Sequence, residues 1–363
     1  MQIRNLKLLN FRNYHSLELS FDEGLNIFYG QNGAGKTNII EAIYFLALSR
    51  SFINIEDKNV ISFDKEICKV EGTIFDKSEN NFKIIIKSSG KNAKINNNSI
   101  IKLSDYISKI KIVLFHSDDL KIIKDSPGIR RKILNIEISQ ININYLKNLS
   151  IYNKLVKQRN AYLKMLYVNS NESIDYLKIL NEKMVNYGYK VYLERKKQLE
   201  IINKNIDKYF KKFNNNPDSL VVEYISDYDN LSIKEILKKM EHLLSKDLFL
   251  KKTSFGVHHD DIVFKLNDHN LRLFGSEGQQ KNAVIAYKFA EIESIKEQSK
   301  IQPIFILDDL FGELDKEKIN NILDTLESKS QTFITTTDID YLSDKIINNS
   351  KKIFIENGKI EER

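Results

Sequence analysis

The loop from Gly30 to Thr37 combines glycines with a lysine and a threonine at a spacing that suits phosphate binding. It fits the pattern G-x-x-x-x-G-K-[ST] in full, between an apolar strand-like run and a helical pattern. Glycines let backbone N–H groups turn inward around phosphates, and the start of the helix adds partial positive charge. We expect Lys36 to reach the β- and γ-phosphates of a nucleotide and the Thr37 hydroxyl to bind Mg²⁺. The loop consists of Gly30, Gln31, Asn32, Gly33, Ala34, Gly35, Lys36 and Thr37.

Two adjacent acids follow a continuous apolar run from Ile304 to Leu307, which is typical of a fully buried parallel strand. In proteins with a phosphate loop of this kind, a carboxylate at such a strand end holds Mg²⁺. We predict that Asp308 holds the metal ion and that Asp309 polarises the attacking water, so Lys36, Asp308 and Asp309 are the predicted catalytic residues. Without the loop, a solvated turn would be the better interpretation of the two acids.

A third segment reads Phe-Gly-Ser-Glu-Gly-Gln-Gln-Lys from Phe274 to Lys281 and precedes a helical pattern. A serine and a glycine at the start of a helix can bind an anion. On local grounds alone, an ordinary helix cap is the favoured interpretation.

The secondary-structure signals divide the chain into three segments. Strand patterns dominate the first segment, helical periodicity dominates from residue 133 to about residue 250, and α/β character returns from Ser254. We predict segments 1–125, 126–250 and 251–363, with the two outer segments forming one α/β unit around a helical insert. Two apolar stripes in the insert are predicted to pack as an antiparallel helix pair; they are Tyr145, Leu149, Tyr152, Val156, Leu163 and Leu166, and Leu177, Leu180, Met184, Tyr187 and Val191.

Composition limits the class of protein but does not set the function. Lys and Arg number 56 against 49 Asp and Glu, and the net charge of +7 suits a polyanionic partner without requiring one. The single cysteine, Cys68, cannot form an internal disulfide and is interpreted as a small apolar filler. Met1 to Phe11 does not have the pattern of a signal peptide, and no apolar stretch approaches the ~20 residues of a membrane helix. We expect a cytoplasmic protein without a membrane partner.

The order of the motifs along the chain resembles the ABC-type ATPase heads of the SMC-like group, and within that group the RecF family of recombination proteins. The order runs from the phosphate loop through a helical insert and the Ser276 segment to Asp308-Asp309, and the resemblance covers essentially the whole chain. Further matching pieces are Asn10 to Tyr14, Ser49 to Phe52, Ser126 to Arg131, His259 to Asp261, Glu313 to Asp315 and Thr335 to Thr337. The fold implied is an α/β, ABC-type P-loop ATPase head with an inserted helical lobe.

The resemblance also implies roles for residues outside the phosphate loop. Ser276 and Gly278, with Gln279 in the same segment, would contact the γ-phosphate of ATP held by the other subunit of a dimer. Asp315 would lie in a loop that crosses the same interface. Arg12 and Asn13 would lie near the nucleotide. ATP and Mg²⁺ are the implied cofactors.

At two places the chain departs from the family pattern. The family usually has arginine at the position of His259, whereas Gly256 to Asp261 here reads Gly-Val-His-His-Asp-Asp. The usual Phe-Ser-Pro-Glu-Asp-Leu appears as Phe-His-Ser-Asp-Asp-Leu from Phe115 to Leu120. The two histidines beside two acids raise the alternative of a metal site, but no second group has metal-ligand spacing, so we favour a polar loop near the nucleotide.

The function implied is recombinational repair and replication of DNA, including the SOS response, by a weak, DNA-stimulated ATPase. An ATP-dependent homodimer would bind double-stranded DNA near single-strand/duplex junctions and, with RecR and RecO, help to load RecA. Contacts to DNA are predicted for basic residues of the insert and its flanks, although solvated helix faces are the alternative for most of them singly. They are Lys121, Lys124, Arg130, Arg131, Lys132, Lys157, Arg159, Arg195, Lys196 and Lys197.

Two other classes of function stay open at this point. The ATPase subunit of a transporter would carry a leucine-serine-glycine-glycine signature, which Phe274 to Gln280 does not match. A binding module could hold ATP structurally without hydrolysing it, although the paired Asp308 and Asp309 favour slow turnover.

Overall fold

The computed structural model describes residues 1–53, 55–168, 173–214, 217–326 and 330–362. The strands are β1 (Gln2–Phe11), β2 (Tyr14–Ser20), β3 (Leu25–Tyr29), β4 (Ile67–Asp76), β5 (Ser78–Lys87), β6 (Gly90–Ile95), β7 (Asn98–Ile100), β8 (Ile112–His116), β9 (Leu220–Ile225), β10 (Asp261–Leu266), β11 (His269–Asn270), β12 (Ile304–Asp308), β13 (Thr332–Thr336), β14 (Ser350–Glu356) and β15 (Lys359–Glu362). The α-helices are α1 (Lys36–Leu48), α2 (Leu103–Ile107), α3 (Pro127–Ile141), α4 (Ile143–Val168), α5 (Asp175–Asn214), α6 (Ile233–His242), α7 (Leu244–Leu250), α8 (Leu271–Phe274), α9 (Glu277–Ser299), α10 (Lys316–Leu326) and α11 (Asp344–Asn348).

The chain forms two compact units. The first unit comprises Met1–Leu120 and Glu291–Arg363, and the second comprises Lys121–Ala290. The first unit is therefore built from both ends of the chain, and the second is one continuous segment. The second unit extends to Ala290, whereas the predicted insert ends at residue 250, so residues 251–290 lie in the second unit and not with the outer segments.

A six-stranded sheet of the first unit brings the chemically important strand ends together. Its order is β15-β14-β3-β13-β12-β8, and β14, β3, β13, β12 and β8 are all parallel. The carboxyl ends of parallel strands lie along one edge of a sheet, which is where ligands bind in open α/β folds. The predicted buried strand ending at Asp308 is confirmed as β12. Strands β14 and β15 form an antiparallel hairpin at the edge of the sheet.

The first unit also contains an antiparallel sheet with the order β2-β1-β4-β5-β6-β7. Along its strands, buried residues alternate with more exposed ones, as expected for a sheet with one side on the core and one side towards solvent. Cys68 of β4 has no exposed surface, which confirms its role as a core filler. Burial, with the nearby Glu41 carboxylate, raises the pKa of the Cys68 thiol to about 12, so the thiol stays protonated at neutral pH.

The second unit contains the predicted antiparallel helix pair. Helices α4 and α5 pack along each other, and three contacts between them show their relative direction. The Tyr145 hydroxyl accepts from Arg195, Tyr152 packs against Gly188, and Arg159 donates to Asn181. Position numbers rise on α4 as they fall on α5, so the helices are antiparallel. Strands β9, β10 and β11 form a three-stranded antiparallel sheet in the same unit.

Three arginines that the sequence places on a DNA-contacting surface lie instead inside the second unit. Arg130, Arg159 and Arg195 are 3%, 0% and 2% exposed. Each forms a buried or largely buried ion pair; the partners are Asp261, Asp247 and Asp260. The prediction that these arginines contact DNA is wrong, because a guanidinium that is buried against a carboxylate cannot reach a phosphate of an external duplex. Among the described residues, no helix is long and apolar enough to cross a membrane.

Candidate nucleotide-binding site

The phosphate loop connects β3 to α1 and has a backbone that only glycine accommodates at two points. Gly30 has φ of 144°, and a side chain there would collide with the carbonyl of Ile355 on β14. Gly35 has φ of 113°, and a Cβ there would stand 2.6 Å from the Tyr14 hydroxyl. The sequence pattern therefore reflects close packing of the loop against neighbouring strands as well as the need to expose N–H groups.

The side chain of Lys36 folds back onto the phosphate loop. Its Nζ donates hydrogen bonds to the carbonyl oxygens of Gly30, at 2.6 Å, and Gln31, at 2.9 Å. Burial lowers the pKa of Lys36, whereas the nearby carboxylates of Asp309 and Asp308 act in the opposite direction. The ammonium is thus poised inside the loop, where phosphate oxygens would replace the two carbonyls.

Asp308 lies at the centre of the site and is fully buried. Its Oδ1 accepts a hydrogen bond from the Thr335 hydroxyl at 2.6 Å and lies 3.4 Å from the Thr37 hydroxyl. Its Oδ2 is buried without a hydrogen-bond partner. Burial raises the pKa of this carboxyl group. A threonine hydroxyl beside one oxygen of a carboxylate, whose other oxygen is buried without a hydrogen-bond partner, is a donor set that fits Mg²⁺.

Asp309 turns away from the buried strand and faces a cavity. It has φ of 55°, its side chain is exposed, and its backbone N–H donates to the Thr335 hydroxyl at 3.0 Å. The cavity has a volume of about 320 Å³, and Lys36, Thr37 and Asp309 are among its lining residues. Its other walls come from the phosphate loop, from Thr335 to Thr337, and from Phe311, Gly312 and Tyr341. This arrangement can hold a polyphosphate with a carboxylate beside its end.

Arg12 and Asn13 differ in how they relate to this loop. The Arg12 guanidinium makes two hydrogen bonds, at 2.7 and 2.8 Å, to the buried Glu41 carboxylate of α1. Asn13 accepts a hydrogen bond from Asn38 and lies beside Gly35. Asn13 is therefore against the loop, whereas Arg12 is directed at the body of α1. The nucleotide contacts expected for both stay predictions.

The Ser276 segment, in the second unit, begins helix α9 with a reciprocal cap. The Gln279 backbone N–H donates to the Ser276 hydroxyl at 3.2 Å, and the Ser276 backbone N–H donates to the Gln279 side chain at 2.9 Å. This is a capping box, and it leaves Ser276 and Gly278 exposed at the start of a 23-residue helix. The ordinary cap and the anion-binding role are compatible, because an exposed helix start still presents N–H groups. The predicted contact with a γ-phosphate stays a prediction.

His258 and His259 are engaged with the protein itself. Nε2 of each ring lies 3.2 Å from the Thr253 carbonyl oxygen, and His258 Nδ1 lies 2.7 Å from the Tyr152 hydroxyl. Burial, followed by the proximity of His259, lowers the pKa of His258 to about 4. Among the described residues, no group of three or more His, Cys, Asp or Glu side chains could hold a metal ion.

Two side chains of the site had no assigned role in the sequence. Thr335 holds Asp308 from β13, and His116 stands opposite Asp308 at the end of β8, with its Nε2 at 3.6 Å from Asp308 Oδ2. Both follow apolar runs that become parallel strands. Polar residues at the ends of such runs were the available signal, because those ends share one edge of the sheet.

The chain matches the family model described as RecF/RecN/SMC N terminal domain over residues 2–361. A similar protein from Streptococcus gordonii is 40% identical over 375 residues, covering 99% of this chain and 100% of the relative; it is called DNA replication and repair protein RecF. A protein of the same name from Ligilactobacillus salivarius is 34% identical and covers 100% of this chain and 98% of the relative.

Solved structures give the same result for the fold. A structure described as the recombination mediator protein RecF-ATP in the RecFOR pathway has a TM-score of 0.91 and 29% identity, covering 99% of this chain and 97% of the other. An Smc head bound to the C-terminal winged-helix domain of ScpA has a TM-score of 0.55 at 17% identity, covering 99% of this chain and 97% of the other. The fold is therefore the α/β ATPase head that these proteins share.

Proposed function

Because this chain belongs to the RecF/RecN/SMC family, and within it to the RecF proteins, we propose that it is an ATP-hydrolysing, DNA-binding protein of recombinational repair and replication. The observation that carries the proposal is that Lys36, Thr37 and Asp309 line one cavity and that Asp308 is buried 3.4 Å from the Thr37 hydroxyl. The chain that contains this site is similar to RecF proteins over its full length. Family membership disfavours the transporter alternative. Asp308 is buried beside Thr37, whereas Asp309 is exposed at the cavity. Because one acid can hold the metal ion while the other acts on water, the arrangement favours ATP hydrolysis over a purely structural role of ATP.

The chemistry divides between the two acids. Thr37 and Asp308 would hold Mg²⁺, which neutralises charge on the phosphates when bound. Lys36 exchanges its two carbonyl partners for oxygens of the β- and γ-phosphates. Asp309 is exposed at the cavity and orients a water molecule for attack on the γ-phosphorus, and the products are ADP and phosphate. We expect a single copy to hydrolyse ATP slowly, since it lacks a contact to the γ-phosphate that a second copy supplies.

That second contact is proposed to come from the start of α9. Ser276 and Gly278 are exposed there, and the helix start carries partial positive charge. A second copy would present these groups, with Gln279, to the γ-phosphate held by the first, and Asp315 would lie in a loop at the same interface. ATP thereby joins two copies into a homodimer, and hydrolysis releases them.

Double-stranded DNA is the proposed partner of the closed dimer. With three arginines removed from the predicted set, the second unit still presents a regular row of basic side chains on its longest helix. The row contains Lys183, Lys190, Lys197, Lys204 and Lys211 of α5, spaced seven residues apart and all exposed. At 1.5 Å per residue the row extends about 42 Å, which is longer than one turn of B-form DNA. Acidic residues also lie on α5, so the attraction is moderate and directed at phosphate without sequence preference.

The cellular role proposed is to bind near single-strand/duplex junctions and, with RecR and RecO, to help load RecA. The RecFOR pathway named for the similar solved structures supports RecR and RecO as partners, and the loading of RecA is proposed from the family resemblance. Such a role places the chain with chromosomal DNA in the cytoplasm.

The direct test measures the affinity for a gapped duplex with ATP and Mg²⁺, with ADP, and without nucleotide. We expect tighter binding with ATP, because the DNA-binding groove forms between two ATP-joined copies. Equal affinity under all three conditions would show that DNA binding is not coupled to nucleotide, and an absence of DNA binding would reject the proposal.

A further inference from the structure

His116 lies at one of the two points where the chain departs from its family pattern, and the fold places it against the predicted metal ligand. It ends β8, and its register partner on the neighbouring strand β12 is Asp308. Its Nε2 is 3.6 Å from Oδ2 of Asp308. That oxygen is one of the buried side-chain atoms of the described structure that have no hydrogen-bond partner.

The surroundings of the imidazole identify the ring nitrogen that carries a hydrogen. The Asp118 backbone N–H donates to Nδ1 at 3.1 Å, whereas Oδ2 of the Asp118 carboxylate is beyond hydrogen-bond distance at 3.8 Å, so Nδ1 is an acceptor. In a neutral imidazole the hydrogen is then on Nε2, which is the nitrogen directed at Asp308. The His116 backbone N–H donates to the Asp119 carboxylate at 3.1 Å, and the Phe52 ring packs against the imidazole with the two ring centroids 5.4 Å apart.

The two oxygens of Asp308 therefore have different neighbours. Oδ1 has the hydroxyls of Thr335 and Thr37 at 2.6 and 3.4 Å. Oδ2 faces the N–H of His116. If the ring moves by a few tenths of an ångström, the distance between Nε2 and Oδ2 shortens to that of a hydrogen bond. A carboxylate held at both oxygens keeps one orientation and is stabilised in its ionised form.

We propose that His116 is a positioning residue for Asp308: its Nε2–H holds Oδ2, so that the carboxylate is presented in one orientation to the Mg²⁺ of the bound nucleotide. This inference rests on the proposed function, since it assumes that the cavity binds Mg-ATP. It assigns a role to the residue that stands here in place of the serine of the family pattern. The alternative is that the imidazole only fills space between Phe52 and the sheet.

The test separates metal binding from nucleotide binding. A fluorescent ATP analogue is titrated into the full chain at increasing Mg²⁺ concentrations and, separately, in EDTA. We compare His116→Leu, which keeps bulk but has no N–H, with His116→Gln, which retains an N–H donor. His15→Leu is the matched control, because His15 is an exposed histidine of β2 in the same unit.

His116→Leu should raise the Mg²⁺ concentration for half-maximal binding by about tenfold, which is the lower end of the effects seen for residues that orient metal ligands. Its affinity in EDTA and its unfolding midpoint should stay at the parental values, and His116→Gln should recover most of the Mg²⁺ response. A parental Mg²⁺ response in His116→Leu overturns the proposal. So does an equal loss of affinity with and without Mg²⁺, which is what a space-filling role predicts.

A second measurement covers the case in which His116→Leu does not fold. Long-range ¹H–¹⁵N spectra of the parental chain, assigned by comparison with His116→Gln, report which nitrogen carries the hydrogen. We expect the Nε2–H form and a change in the Nε2 resonance when the Mg²⁺ complex of the ATP analogue is added. The Nδ1–H form, or a resonance unaffected by the complex, overturns the proposal. If the parental chain binds no analogue at any Mg²⁺ concentration, the proposed function fails together with it.

Discussion

The guanidinium of Arg195 and the carboxylate of Asp260 form an ion pair at 2.7 Å in which both side chains are at most 2% exposed. Arg195 also donates to the Val257 carbonyl and to Tyr145, and Asp260 accepts from the hydroxyls of Tyr224 and Ser226. The pair joins α5 to the segment that contains the two histidines. Arg195 therefore contributes to the stability of the second unit and not to its surface charge.

Replacing Arg195 with methionine should destabilise the chain strongly. The carboxylate of Asp260 would remain buried without its cation, and breaking such a pair costs about 3–5 kcal/mol. Urea unfolding measures the change in the free energy of unfolding. Lys197→Met is the control, since Lys197 is exposed on the same helix and should change stability by less than about 0.5 kcal/mol. Equal effects of the two substitutions would contradict the structural role of the pair.

Dimerisation should depend on ATP and on Ser276. ATP with Mg²⁺ should shift the chain from monomer to dimer in sedimentation velocity, whereas ADP should not. Ser276→Arg should abolish the shift without weakening ATP binding, because a large side chain at the start of α9 blocks the approach of a second nucleotide. Glu277→Gln, a change at the neighbouring exposed residue, should still dimerise. An unchanged monomer of the parental chain with Mg-ATP would rule out the dimer.

The two acids of the site should give different phenotypes. Asp309→Asn should lower the rate of ATP hydrolysis by at least about tenfold but keep ATP binding, because Asp309 is exposed at the cavity and does not support the loop. The variant should accumulate as an ATP-bound dimer. Asp308→Asn and Lys36→Ala should instead weaken Mg-ATP binding itself. Phosphate release and equilibrium nucleotide binding separate the two effects, and parental turnover by Asp309→Asn would make the assignment wrong.

The lysine row on α5 should set the salt dependence of DNA binding. Substituting Lys190, Lys197 and Lys204 with glutamine should reduce the slope of log K against log salt concentration by about three, one for each phosphate that is no longer neutralised. Sequence preference should not change. The matched control replaces Lys234, Lys238 and Lys246, which are also exposed in the second unit. If both triple variants alter the slope equally, the row has no special role.

His258 should make the chain less stable in acid. Its pKa is lowered to about 4 in the fold and returns to about 6.5 on unfolding, so the unfolded chain binds more protons between these values. The contribution to stability is complete above pH 6.5 and is lost as the pH falls towards 4. Between pH 7 and pH 5 this group alone accounts for about 2 kcal/mol. In His258→Gln the loss of unfolding free energy between pH 7 and pH 5 should be smaller by about 2 kcal/mol. His269 is an exposed histidine, and in the control His269→Gln this loss should equal that of the parental chain.

The sequence predicted the parts of the site that are contiguous along the chain. The phosphate loop, the strand that ends at Asp308 and the helical stripes of α4 and α5 depend on local spacing, and the structure contains all of them. The order of the strands in the sheet could not be predicted in this way, because an apolar run does not specify its neighbours. Nothing in Ile112 to Phe115 indicates that β8 lies beside β12. The arginines were misplaced for a related reason. Their acidic partners are 65 to 131 residues away, so only the tertiary structure shows that these charges are buried.

The position of β3 has a consequence for the order in which the chain folds during synthesis. This strand lies between β13 and β14, and both of its neighbours are made roughly 300 residues after it. At about 5–20 residues per second, the ribosome needs roughly 15–60 s to supply them. During that interval the apolar strand Leu25–Tyr29 has no partner edge, while the second unit is a continuous segment that emerges early and contains its own core. The nascent chain is therefore exposed to mispairing at the strand that leads into the phosphate loop, and slower synthesis near residue 330 would lengthen that exposure.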